Sequence, residues 1–574
     1  SGNSARAVGV AVRATSSRLR ARSVDRLSHS IYYSPLALLL PLFSYSDCLA
    51  RALSPTPTVS HSHCLPLALE LISKLLIANR GEIALRVIRA CRELGVKSVA
   101  IYSDADSHSP HVREADEAVR IGPPPSSESY LLGDAIIAAA QKVGADAIHP
   151  GYGFLSERDW FARAVRDAGL IWVGPPAEAI AAMGSKTAAR TLAIQHDVPI
   201  VPGTTAALRD AAEAATIAKK FGYPVLLKAA AGGGGKGMRV VRAESEIAGA
   251  LDSAKREAQN AFGDDAVYIE KYIEGPRHVE IQILADAHGN CISLGERECS
   301  VQRRHQKMIE EAPSVAVSPE LRERMGAAAV RAAKAAGYVN AGTCEFLLDK
   351  SGEFYFLEMN TRIQVEHPVT ELVTGLDLVQ WQIRIASGEE LPYKRPFTPR
   401  GWAIECRITS EDPANGFLPS TGRIRYLHVP TGPGVRWDSG IETGSEVGLF
   451  YDPMLAKLIV WGGTREQAVQ RMHRALLELT IDGVETSREF HLRVMEDEEF
   501  KAGAIEIQWL ERRLPSLLAV APSREAIESV AIAAALIAER DRGGSSSAAT
   551  STGAATPAES AWQRLARTGA LRPS

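Results

Sequence analysis

The 574-residue sequence is poor in several features that would each have placed it in a familiar class. Its seven cysteines form no C-x-x-C pair and are odd in number, so neither a disulfide framework nor a zinc site can be read, and a reducing compartment is the simpler expectation. Charge of one sign is not in excess: 65 Lys and Arg stand against 68 Asp and Glu, and a net −3 argues against a general nucleic-acid surface. The apolar stretch from Ile31 to Phe43 is too short for an ordinary spanning helix. No internal repeat stands out. A 45% hydrophobic content is ordinary for a globular protein, and 574 residues are too many for one core, so several domains are expected.

What is present is concentrated. Glu358-Met-Asn-Thr-Arg362-Ile-Gln364-Val-Glu366-His-Pro places two carboxylates, two amides and a guanidinium within nine residues, at the end of the apolar run Phe354 to Leu357. Glu345 lies upstream in Gly342-Thr-Cys-Glu-Phe-Leu-Leu348, and the intervening Asp349-Lys-Ser-Gly352 is turn chemistry, so the segment reads as a β-hairpin. If the turn pairs Leu348 with Glu353, strand parity puts Glu345, Glu358 and Asn360 on one face. Oxygen ligands converging in this way suit Mg²⁺ or Mn²⁺ working with substrate phosphates.

A phosphate half of the site is also legible. The strand Tyr223-Pro-Val-Leu-Leu-Lys228 runs into Ala229-Ala-Ala-Gly232-Gly233-Gly234-Gly235-Lys236-Gly237, where consecutive glycines free backbone amides to close over phosphates between two lysines. The loop lacks the βαβ setting of a dinucleotide fold, and Gly237 after Lys236 excludes a P-loop.

These motifs occur together with Met183-Gly-Ser-Lys186, Tyr268-Ile-Glu270-Lys271-Tyr272-Ile273, Pro276-Arg-His278-Val-Glu280, Cys299-Ser-Val-Gln302-Arg-Arg-His305-Gln-Lys307 and Glu405-Cys-Arg407-Ile. In this combination, from about Lys74 to about Leu514, the sequence closely resembles biotin carboxylase. That family is the ATP-grasp component of biotin-dependent carboxylases of the acetyl-CoA, propionyl-CoA and methylcrotonyl-CoA type. Ala78-Asn79-Arg80-Gly81-Glu82-Ile83-Ala84 and His149-Pro-Gly-Tyr-Gly-Phe-Leu-Ser-Glu157 belong to the likeness. Ala231 and Lys236 depart from some relatives, which have Gly and Arg there.

The resemblance implies a role for each residue. ATP is expected at Lys186, Lys228, the Gly232 to Gly237 lid, an adenine hinge of Glu270, Lys271, Tyr272 and Ile273 after the strand Ala266 to Ile269, and His278, Gln302 and His305. Glu345, Glu358 and Asn360 would hold the metal. Bicarbonate matches Lys307, Arg362, Gln364 and the Val365 amide. Glu366 matches the base that takes bicarbonate's proton, and Arg407 the group that stabilises the biotin enolate. Each has a plainer alternative: Glu366 as an ion pair with Arg362, Arg407 as a structural salt bridge between domains. Cys299 and Cys406 are expected to be packed and unreactive.

The fold expected is multidomain α/β and α+β. An open-sheet N-terminal domain covers residues 74–185, an ATP-grasp domain 186–388 with a lid near 204–272, and a mixed C-terminal domain 401–514 after a proline-containing linker, Pro392 to Pro399. Before Lys74 there are seven arginines, no lysine and only Asp25, Asp47 and Glu70 as acids. Such a start resembles a mitochondrial transit peptide. The family-like sequence begins abruptly at Leu71 and the chain does not start with Met, so residues 1–73 are expected to be a disordered or non-native extension. Cytoplasm is then the expected compartment, with the mitochondrial matrix as alternative. After Leu514, Ser523 to Arg542 reads as an amphipathic helix, Gly543 to Ser560 as a linker and Trp562 to Leu571 as a short docking segment.

No Met-Lys-Met biotin-attachment sequence occurs, and nothing resembles a carboxyltransferase. The biotin carrier and the transferase are therefore expected on separate chains, with a homodimer implied by the family and neither nucleic acid nor membrane as partner. Two other readings stay open: another ATP-grasp bicarbonate ligase related to carbamoyl-phosphate synthase, and an inactive scaffold.

Overall fold

The structure is a computed structural model that describes residues 72–204, 206–229, 238–519 and 524–546. The expected extension at 1–73 lies almost wholly outside these residues, as do the glycine loop from Gly232 to Gly237 and the Trp562 to Leu571 segment.

Five parallel strands open the described chain: β1 (Lys74–Ile77), β2 (Lys97–Ser103), β3 (Glu117–Gly122), β4 (Ala147–His149) and β5 (Ile171–Trp172). Their order is β3-β2-β1-β4-β5. The central strand β1 is apolar from Leu75 to Ile77 because both of its faces are covered, and all three residues are fully buried, whereas the edge strand β3 carries Glu117 and Arg120 exposed. Helix α1 (Gly81–Leu94) follows β1 and ends at Gly95 in the left-handed region, φ 72°, where its N–H closes on the last-turn carbonyls. The sequence pattern predicts a strand from Lys74 to Ala78, a helix from Glu82 to Leu94 and a strand from Lys97 to Tyr102, and these first elements fall within a residue or so of those bounds. At the carboxyl ends of β1 and β4, Asn79 Nδ2 donates to the Pro150 and Tyr152 carbonyls, 2.8 Å each, tying the two crevice loops together.

Helix α2 (Lys186–Gln195) leads into a small antiparallel sheet ordered β7-β6-β8, from β6 (Val225–Ala229), β7 (Met238–Val241) and β8 (Val267–Lys271). Helices Ala211–Phe221 and Ile247–Phe262 close a core of Val225, Leu227, Leu251 and Ile269 against it. The hinge segment was expected to follow a strand ending at Ile269. The strand runs on through Glu270 and Lys271, because Leu226 and Val225 of β6 pair with them.

The largest element is an eight-stranded antiparallel sheet. Its members are β9 (Arg277–Ala285), β10 (Cys291–Arg303), β11 (Gln306–Ala312), β12 (Asn340–Leu348), β13 (Phe354–Asn360), β14 (Trp402–Thr409), β15 (Val435–Ser439) and β16 (Met454–Gly462). They lie in the order β13-β12-β9-β10-β11-β14-β16-β15. Strands after residue 401 thus extend the central sheet, through the pairs Ile309↔Cys406 and Glu310↔Glu405. Helix α3 (His367–Thr374) packs on this sheet, burying Val369 and Val373 with Ala403 and Ile459. The linker is packed as well: Tyr393 meets Trp381 and Phe397 edge-on, ring centroids 5.5 and 5.0 Å apart.

The β12–β13 hairpin differs from expectation in register. Its loop is Asp349 to Glu353 and the first pair is Leu348↔Phe354, one residue later than expected. That shift alone would turn Glu358 to the other face. A bulge between Phe346 and Glu345 inserts Leu357 and restores it, so that Glu345 directly opposes Glu358 and Thr343 opposes Asn360. Helix α4 (Arg524–Ser546) also departs from expectation: it continues through Gly543 and Gly544. Ile527, Val530, Ile532, Leu536 and Ile537 are all exposed, so no apolar face is packed there. Its Ala-rich sequence favours a helix without tertiary support.

Candidate active site

A cavity of about 650 Å³ lies between the small sheet and the eight-stranded sheet. Lys228, Glu270, Lys271, Tyr272, Ile273, His278, Gln302, His305, Lys307, Glu345, Glu358, Asn360, Arg362, Gln364, Val365, Glu366 and Arg407 all line it. These are the expected site residues apart from Lys186, whose side chain is outside the described set, and the glycine loop.

On the large sheet the centre is Lys307, at the start of β11. Its Nζ contacts Glu280 Oε2 at 2.5 Å, Glu366 Oε1 at 2.7 Å and Glu345 Oε1 at 2.9 Å. Burial alone would depress this ammonium, but the three carboxylates hold its pKa well above the usual range. The Glu366 carboxyl is pushed up by burial and pulled further down by Lys307 and Arg407, so that it lies well below the ordinary carboxylate value. Arg407 Nη2 donates to Glu366 Oε2 at 3.0 Å, and its Nε to Glu310 Oε1 at 2.6 Å. Glu310, driven by burial and the nearby Glu366 against the pull of Arg407, is raised to about 7.

Glu345 accepts from Asn360 Nδ2 at 2.8 Å and Gln364 Nε2 at 3.1 Å, and His278 Nε2 lies 3.1 Å from its second oxygen. Gln302 Nε2 in turn sits 3.0 Å from His278 Nδ1. Directly opposed like charges destabilise a strand pair. The Glu345–Glu358 pair, with the Asn360 amide beside it and Glu358 exposed to the cavity, therefore suits a divalent cation with oxygen preference.

Arg362 does not pair with Glu366 as the plainer alternative had it. Its Nε lies 3.0 Å from Glu157 Oε2, and Lys307 and Arg407 take up Glu366 instead. The β10–β11 turn is Arg304-His305, both at positive φ (50° and 65°), a conformation rare for side-chain-bearing residues that holds His305 at the cavity edge. On the small sheet, Lys228 Nζ is 3.1 Å from Glu270 Oε2. Arg190 Nη1 braces the same carboxylate at 2.8 Å. Cys299 and Cys406 are fully buried, and burial pushes both thiols well up, as packed and unreactive cysteines should be.

Sequence reasoning overlooked several supports. Glu280 shares a strand face with His278, a spacing of two that alternation could have flagged. The buried Arg297 binds Glu280, Gln282, Gln364, Thr343 and Thr370. Its signal was a charged run, Glu296-Arg-Glu298, inside an otherwise uncharged stretch from Cys291 to Gln302. Arg190 had no local signal.

A cavity between a small sheet and a large one, with lysines on one wall and opposed carboxylates on the other, defines an ATP-grasp ligase. Residues 71–180 match the biotin carboxylase N-terminal domain, 185–394 the carbamoyl-phosphate synthase L chain ATP binding domain, and 405–512 the biotin carboxylase C-terminal domain. The chain is 54% identical over 443 residues to biotin carboxylase 1 of Bacillus subtilis, covering 77% of this chain and 98% of that one. It is 52% identical over 446 residues to the biotin carboxylase of Haemophilus influenzae, covering 77% and 99%. Among solved structures, the biotin carboxylase domain dimer of Hydrogenobacter thermophilus 2-oxoglutarate carboxylase, with MgADP, ADP and bicarbonate, superposes with a TM-score of 0.74. That match is at 48% identity and covers 79% of this chain and all of that one. The chain belongs to the biotin carboxylase family.

Proposed function

We propose that this chain carboxylates biotin, using ATP and bicarbonate, as the biotin carboxylase component of a biotin-dependent acyl-CoA carboxylase. The observation that carries the reading is the convergence of Lys307, Glu345, Glu366 and Arg407 on one wall of a cavity whose other wall carries Lys228 and Glu270.

ATP's phosphates are assigned to Lys228, Lys186 and the glycine loop, and its base to the Glu270 to Ile273 segment, with His278, Gln302 and His305 around them. Glu345, Glu358 and Asn360 would hold Mg²⁺ or Mn²⁺, which supplies charge neutralisation at the transferring phosphoryl group. Bicarbonate is assigned to Lys307, Arg362, Gln364 and the Val365 amide; the guanidinium fork suits a planar oxyanion. Glu366 takes bicarbonate's proton as its oxygen bonds to the γ-phosphorus and ADP leaves, giving carboxyphosphate. Carboxyphosphate divides into phosphate and CO₂; the released phosphate takes the N1 proton of biotin, and the enolate so formed, stabilised by Arg407, takes up the CO₂ at N1. Bare Glu366 is a weak base because two cations hold it. Both cations are shared with the incoming anions, so substrate binding relaxes that hold and raises its basicity when the proton is to be moved.

The carrier and the transferase are assigned to separate chains, the assembly to a homodimer and the compartment to the cytoplasm. Among the described residues no helix is long and apolar enough to cross a membrane. The final acceptor, of the acetyl-CoA type in this reading, would be selected by the transferase chain. Purified protein given ATP, Mg²⁺, labelled bicarbonate and free biotin should form carboxybiotin slowly, with ATP hydrolysis stimulated by biotin and no acyl-CoA turnover. ATP hydrolysis indifferent to biotin would contradict this and favour another bicarbonate ligase.

A further inference from the structure

Behind Glu366 lies a second cation that the reaction as described does not use. Lys457, on β16, is fully buried and is the register partner of Arg407 on β14, so the two side chains share one face of the sheet. Arg407 grips the Glu366 carboxylate, while Lys457 Nζ donates to the Val365 carbonyl at 2.9 Å. Adjacent strands thus hold consecutive residues of one turn, the side chain of one and the backbone of the other.

The counter-charge comes from the first helix, α1. Glu82 Oε1 of α1 lies 3.2 Å from Lys457 Nζ, and the Tyr152 hydroxyl donates to the same oxygen. Asp438, the register partner of Lys457 on β15, is occupied by Arg436 at 2.7 Å, and the buried Glu405 feels the Lys457 charge without touching it, so that among the described residues Glu82 is the carboxylate in contact with Lys457. A buried ammonium is costly to desolvate, and an apolar side chain would fill the same space at less cost. What Lys457 supplies beyond filling is a donor aimed at a backbone oxygen inside the reacting turn.

We propose that Lys457 is a positioning residue for carboxylation: it fixes the peptide joining Val365 to Glu366, and so the relative placement of the bicarbonate-binding amide and the base, with Glu82 and Tyr152 as its support. The inference rests on the assignment of Glu366 and Val365 above. Misplacing a reacting group by about 1 Å can cost on the order of 100-fold.

The test uses the full chain and compares Lys457→Met with Lys457→Met/Glu82→Gln, beside Glu366→Gln. The single variant should unfold at lower temperature, lower kcat for biotin carboxylation about 10- to 100-fold, raise the KM for bicarbonate and leave ATP affinity unchanged. The double variant no longer buries a lone carboxylate, so it should recover thermal stability while kcat and the bicarbonate KM stay impaired. If Lys457→Met alone does not fold, the double variant carries the test. Recovery of kcat together with stability in the double variant, or full kcat in the single one, would overturn the inference. An active Glu366→Gln would instead remove the assignment beneath it.

Discussion

Lys307 on the large sheet and Lys228 on the small sheet are both partly buried lysines beside carboxylates, but they are held in different ways. Lys307 is enclosed by Glu280, Glu345 and Glu366, each fixed in turn by Arg297, Asn360, His278 or Arg407. Among the described residues Lys228 has the single carboxylate Glu270, which Arg190 would still satisfy if the lysine were gone. The first arrangement is an over-determined charge lattice, whose geometry exists before substrate arrives. The second leaves a cation able to exchange its partner for a phosphate, as a wall that recruits a nucleotide should.

That difference can be broken in order of expected effect. Lys307→Met strips the shared cation from three buried carboxylates. It should cost about 3–5 kcal/mol, read as an earlier urea transition, and abolish carboxylation. An unchanged transition would show that the lattice is not a unit. Lys228→Ala leaves Glu270 paired, so stability should hardly move, while loss of a charged hydrogen bond should weaken ATP binding by about 1.5–3 kcal/mol, roughly 10- to 100-fold. Isothermal titration giving wild-type affinity would remove Lys228 from the nucleotide site.

The smallest effect sharpens the comparison through pH. Burial raises Glu310 to about 7 from an ordinary 4.5, so the folded state binds that proton more tightly than the unfolded chain does. Its contribution to stability is full below about pH 4.5 and is lost as the pH climbs through about 7. Wild-type protein should therefore lose stability relative to Glu310→Gln across that window in paired thermal melts. A difference that grew in the other direction would mean that Arg407 holds Glu310 ionised throughout.

Much of this was legible in the sequence because the motifs are short and local. The strand–helix–strand opening followed from apolar runs and Gly95. The facing of Glu345, Glu358 and Asn360 was read correctly from a wrong register: the loop is one residue longer than assumed, and the bulge at Leu357 compensates. Parity arguments cannot see such paired errors, since a bulge leaves no firm mark in composition. What local pattern could not supply was long-range. The joining of β11 to β14 links residues about a hundred positions apart, and it puts Arg407 beside Glu366. Lys457 is a further step removed, 92 residues from Val365 along the chain, in a strand whose local pattern gives its one charge no partner.

The central claim is that Glu366 is the base, held ready by two cations it later shares with substrate. Glu366→Gln keeps the size and a hydrogen-bonding side chain but removes the carboxylate. Measured at saturating bicarbonate, its biotin carboxylation should fall about 10²- to 10⁴-fold, with ATP affinity little changed. The parallel variant Glu358→Gln should instead raise the Mg²⁺ concentration needed for ATP use. Near-wild-type carboxylation by Glu366→Gln would contradict the account and pass the proton to another group near Arg362.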